Sequence, residues 1–161
     1  MSENEYGPGQ GPGARPLTEE EVTRILGGQR FGVLATVKRD GRPHLASMVF
    51  GWDAEERVIR FSSAEGRIKV THLRRDPRAT LHAQGENVLS YAVAEGEAEV
   101  SEASTEPGDA TGRELLAMAG GFGDPADETA FLEQMVKDRR VVIRLRVSRL
   151  YGTALDAPVR S

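Results

Sequence analysis

The chain has 161 residues, 39% of them hydrophobic, a formal net charge of −4 and no cysteine. This is the composition of a single domain with a real core, and it excludes a disulfide scaffold, a thiolate metal centre, an iron–sulfur cluster and a cysteine nucleophile. The negative charge argues against whole-molecule attraction to nucleic acid or membrane. No apolar run approaches the roughly 20 residues of a spanning helix, and nothing at the start reads as a secretory signal, so the expectation is a soluble cytoplasmic protein.

Residues 1–16 hold four Gly and three Pro and show no apolar periodicity, which predicts a disordered tail. The first ordered element is a short helix from Thr18. Thr18 and Glu21 have capping-box spacing, Leu17 and Val22 staple spacing, and Gly27-Gly28 reads as a stop. Residues 31–38 form a strand, 39–42 (Arg-Asp-Gly-Arg) a hairpin turn, and 43–53 the return strand. Alternation in that strand puts Ala46, Met48, Phe50 and Trp52 on one face and Leu45, Ser47 and Val49 on the other. Both faces are fairly apolar, as in a barrel wall that also meets a second layer or subunit.

A third strand is expected at 58–63, a helix at 66–75 ended by Asp76-Pro77, and a fourth strand at 78–83. Residues 89–102 read as a long, half-exposed fifth strand, with Glu95, Glu97 and Glu99 turned outward and Gly96 marking a bulge or a close backbone approach. Residues 103–139 are the helical section, where Asp124-Pro125 starts a helix. A strand at 141–147 and a short one near 150–153 close the domain, taken as 17–155 with a C-terminal tail at 156–161. Six or seven antiparallel strands with short helices, and no βαβ alternation, make a small α+β β-barrel.

Charge is unevenly spread. Residues 57–78 carry seven Lys/Arg against Glu65 and Asp76, whereas 95–114 carry seven Asp/Glu against Arg113 alone. Within the basic stretch, Ser62 and Ser63 end a strand, Gly66 permits the turn, and Arg67 and Lys69 fall at a helix start. Free backbone N–H groups, a fork and a point charge together make a phosphate site, although a solvated basic turn explains the same residues about equally well. The Arg74-Arg75 pair is a weaker extension of it. His44, His72 and His82 lack metal-ligand spacing, no nucleophile elbow is present, and Trp52, Tyr91 and Tyr151 could stack on a planar ring or simply pack.

The runs FGVLATVKRDGRPHLASMVFGWD, IRFSSAEGRIKVTHLRRDPRATL, SYAVAEGEAEV and DRRVVIRLRVSRLYG, in this order, resemble the pyridoxamine 5′-phosphate oxidase-like split β-barrel family. The likeness is greatest to its actinobacterial flavin/deazaflavin oxidoreductases, many of which use coenzyme F420. The resemblance implies a homodimer with a cofactor site in each cleft between subunits. It implies a ring along Ser47, Met48 and Val49, and a ribityl-phosphate part at Ser62, Ser63, Arg67, Ile68 and Lys69. Leu89 and Tyr91 of the other subunit would close the site; some relatives carry a stacking tryptophan where this chain has Leu89.

On that basis the expected activity is F420-dependent hydride transfer to a small unsaturated organic substrate. No residue is assigned a catalytic role, because the cofactor carries the chemistry. FMN is the alternative cofactor, and a non-catalytic flavin or F420 carrier, or a haem-handling protein, are alternatives of another class.

Overall fold

The structure is a computed structural model and describes residues 8–9 and 13–155. Most of the expected tail 1–16, and all of 156–161, lie outside the described residues. The last three residues of the N-terminal tail are a correction: Ala14–Pro16 forms a strand, β1, antiparallel to residues 153–155. Contacts beside the ladder also hold it. The Arg15 guanidinium donates to both carboxylate oxygens of Glu21 at 3.0 Å, and Leu17 N donates to Gly152 O at 3.0 Å.

Helix α1 (Glu19–Gly28) has the full capping box at Thr18 and Glu21, and it buries Val22 and Leu26. Strands β2 (Phe31–Val37) and β3 (Pro43–Val49) form the expected hairpin, with Gly41 at φ 85° in the turn. The return strand then departs from expectation. It breaks at Phe50, whose N–H donates to Arg30 O, and resumes as β4 (Gly51–Asp53), which pairs with β5 (Val58–Ala64) instead of β2.

Helix α2 (Ile68–Arg75), β6 (Arg78–Gln84) and β7 (Tyr91–Val100) follow. The helical section resolves into α3 (Ala110–Met118) and α4 (Pro125–Lys137), each with an aspartate cap, Asp109 and Asp124. The two expected closing strands are one continuous strand, β8 (Arg140–Leu155). Its register against β7 slips between Glu95 and Gly96, so Ser148 becomes an extra residue that bends β8 without ending it.

The sheet order is β3-β2-β6-β7-β8-β5-β4, antiparallel throughout, with β1 added to β8. Because β3 continues into β4 through Phe50, the two ends of this path are joined and the sheet curls into a split barrel. Leu34, Phe61, Leu81, Ile143 and Leu145 fill the interior, and α1 plugs it with Val22 and Leu26. No described helix is long and apolar enough to cross a membrane.

Candidate functional site

The β3–β4 crossing and the end of β5 bound a cleft of about 930 Å³, the scale of a small-molecule or cofactor site. Of the residues singled out from sequence, Ser47, Met48, Val49, Ser62, Ser63, Arg67 and Lys69 all line it. Ile68 does not; its side chain is exposed. Leu89 and Tyr91 do not line it within one chain either. Leu89 is exposed, and the Tyr91 ring stacks on His82 at 5.1 Å between centroids.

The basic end forms where β5 gives way to α2. Arg67 is the N-cap of α2, one position before the first helical turn, and its side chain makes no capping bond. The first turn of α2 has no acidic residue, so its free N–H groups and positive dipole end are uncompensated. Lys69, in that turn, is 92% buried yet forms no ion pair with any described carboxylate. Burial first, and then the positive charges of Arg67 and Arg140, hold its ammonium pKa below the ordinary lysine value.

Arg140 is the member that sequence reasoning missed. It opens β8 opposite Ala64, lines the cleft, and its buried Nε finds no hydrogen-bond partner among the described residues. Its nearest recorded carboxylate contact is Asp138 at 4.0 Å. The acidic residue of the turn, Glu65, is engaged by Arg139 at 2.7 Å and so leaves the cluster unneutralised. Three cations, the Ser62 hydroxyl and an uncapped helix start fit a phosphate group; the Ser63 hydroxyl donates instead to Ala64 O at 3.3 Å. No local motif marks Arg140, which lies 71 positions beyond Lys69 in an ordinary Arg-Arg pair.

Of the other cations of the lining, Arg30 has its guanidinium 6.0 Å from the Phe31 ring centroid, and Arg60 is held by carboxylates. Arg60 pairs with Glu114 at 3.0 Å and with Asp53 at 3.4 Å. Glu114 also accepts from Arg144 Nε at 2.8 Å, and the Arg144 bond leads the causes that lower its carboxyl pKa. This clamp ties α3 to β5 and β8. Leu115 and Met118 of α3, and Phe131 and Met135 of α4, line the cleft beside it.

The histidines stand apart. His72 is buried with Nδ1 2.9 Å from Thr36 Oγ1 and its ring edge-on to His44, an arrangement that docks α2 on β2. Among the described residues no cluster of three or more His, Asp or Glu could hold a metal.

Comparisons with known proteins agree with this architecture. The conserved hypothetical protein Rv2991 from Mycobacterium tuberculosis is 25% identical, with a TM-score of 0.67, over 90% of this chain and 91% of that one. A structure described as an F420 reductase is 27% identical, with a TM-score of 0.54, over 79% and 93%. A FAD-binding protein from Mesorhizobium loti, 19% identical over 87% and 96%, shares the fold with a TM-score of 0.60. The pattern of the pyridoxamine 5′-phosphate oxidase family matches residues 18–154, which span every strand from β2 to β7 and nearly all of β8, and the chain belongs to that family of split β-barrels.

Proposed function

We propose that the protein is an F420-dependent oxidoreductase that transfers a hydride to a small unsaturated organic substrate, and that it works as a homodimer. The observation that carries this reading is buried Lys69, held beside Arg67 and Arg140 without a carboxylate partner. A protein keeps such a cluster where an anionic ligand offsets its desolvation and self-repulsion. The likeness to an F420 reductase favours a deazaflavin over FMN as the phosphate-bearing cofactor.

In this reading Arg67, Lys69 and Arg140 bind the phosphate, with Ser62 as hydroxyl donor. The outward face of β3, from Ser47 to Val49, supports the ring. A second copy covers that face and closes the cleft with Leu89 and Tyr91. Exposed apolar side chains mark the surface it would bury: Phe31 and Val49 are ladder partners 64% and 54% exposed, and Leu45 is 63% exposed. A reduced cofactor, itself oxidised in the step, would supply the hydride from its own ring to one atom of the substrate's unsaturated bond, and solvent at the cleft mouth would supply the proton to the other. The chain binds and orients both molecules, and none of its residues is asked to act as acid or base.

The test is a fluorescence titration of the purified protein with F420 and, in parallel, with FMN, together with its mass by sedimentation. Micromolar or tighter F420 binding, weak FMN binding and a dimeric mass support the reading. Preference for FMN overturns the cofactor assignment, and a monomer that binds F420 overturns the shared cleft.

A further inference from the structure

We propose that the α3–α4 side of the cleft is a distinct subsite for an uncharged, ring-bearing organic molecule, the hydride acceptor of the preceding reading. The assignment of that molecule as acceptor rests on the preceding reading; the subsite itself rests on the following observations. Apart from Met1, the chain has three methionines, Met48, Met118 and Met135, and all three line this one cleft. Helix α4 buries none of its 13 residues, so Phe131 and Met135 are not core residues; they are half-buried and face the cleft.

Thioethers adapt their shape and make favourable contacts with aromatic rings, and a phenylalanine ring stacks offset or edge-on. A wall of Leu115, Met118, Phe131 and Met135 therefore suits flat apolar molecules of more than one outline. Charge is absent from it. Glu114, adjacent to Leu115, is consumed by Arg60 and Arg144; Arg67, Lys69 and Arg140 lie at the Ala64 end of β5, and Arg30 lies at the β3–β4 crossing. A carboxylate or ammonium placed against the α3–α4 wall would be desolvated without a partner. The division of one cleft into a cationic end and a sulfur-rich apolar wall separates an anionic ligand from a neutral one.

The experiment titrates the full chain with N-phenyl-1-naphthylamine, a neutral ring probe whose fluorescence rises in apolar surroundings, and titrates F420 separately. The proteins are wild type, Phe131→Ala, Met135→Ala, Met135→Leu and Met118→Lys. The probe is expected to bind the wild-type chain, to weaken roughly tenfold in each alanine variant, to recover in Met135→Leu and to be lost in Met118→Lys. F420 affinity should stay within about twofold in the alanine and leucine variants. Since α4 contributes nothing to the core, the alanine variants keep the fold, which thermal unfolding checks. Unchanged probe affinity in the variants overturns the subsite, as does parallel loss of probe and F420. Probe binding that follows the variants in a protein that binds neither F420 nor FMN supports the subsite and overturns the cofactor reading alone.

Discussion

Ala64 on β5 and Arg140 on β8 are ladder partners, so the first residue of β8 stands beside the turn that leads into α2. This register brings Arg140 into the lining that Arg67 and Lys69 share. A strand-pairing decision, not a local motif, completes the cationic end of the cleft.

Removing Lys69 should separate binding from stability. Lys69→Ala is expected to weaken cofactor binding by about 1.5–3 kcal/mol, the worth of a charge-assisted contact. Lys69→Met should lose binding similarly while raising the melting temperature of the ligand-free protein, because it removes the desolvation of the ammonium and its repulsion by Arg67 and Arg140 and keeps the side-chain volume. Arg67→Lys should also weaken binding, since the fork is lost. Parallel calorimetric binding and thermal scans give both quantities; a fall in the melting temperature of Lys69→Met would contradict the account.

The lowered ammonium pKa of Lys69 sets a pH dependence for binding. A phosphate ligand needs the charged form, so affinity should be flat near neutrality and decline in the alkaline range, starting below the ordinary lysine value of 10.5. In the ligand-free protein the sign reverses. The unfolded chain holds this proton to higher pH than the folded one, so Lys69 makes stability rise with pH between its folded and unfolded pKa values. Lys69→Arg, which stays charged, should remove the alkaline decline in affinity. Binding titrations across the alkaline range check both statements.

Acid should act through His72. Burial first, then the charges of His44, Arg75 and Lys38, lower its pKa from 6.5. Its contribution is therefore complete above about 6.5 and is lost as pH falls through the lower folded value. Thr36→Val leaves Nδ1 without its 2.9 Å partner in a buried site and should cost about 1–3 kcal/mol. Urea unfolding at two pH values measures both effects, and because α2 carries Lys69, ligand affinity should fall with them.

Of the described glycines, Gly96 leaves the least room for a side chain. A Cβ there would lie 1.9 Å from Arg146 O, on backbone that cannot swing aside. Gly96→Ala should destabilise by at least about 2 kcal/mol. Gly51→Ala, with open space around it, is the control expected to leave the melting temperature nearly unchanged.

Local chemistry was legible in the sequence, and long-range pairing was not. The Thr18–Glu21 capping box, the turn at Gly41, the Asp124 cap and the close backbone approach at Gly96 are written in a few adjacent residues and stand where expected, whereas the extra residue of the bulge lies on β8, at Ser148. The break at Phe50 is invisible because the apolar alternation runs straight through it. Only the change of ladder partner, from β2 to β5, marks it. The polar stretch Ser148-Arg149 read as a gap between strands because a bulge residue leaves the alternation just as a loop residue does. Arg140 belongs to the candidate site through register alone, and the apolar wall of α3 and α4 has the composition of any packed helix pair.

The continuity of β8 also dictates an order of assembly. This strand is the spine of the sheet, holding β7 along its whole length, β5 along its first half and β1 at its far end, yet it is the last described element to be synthesised. None of those three ladders can form while residues 140–155 are still inside the ribosome. Until then the β8-facing edges of β5 and β7 wait unpaired, so the barrel closes only once residues 140–155 have emerged, by contacts of high sequence separation and correspondingly slow formation.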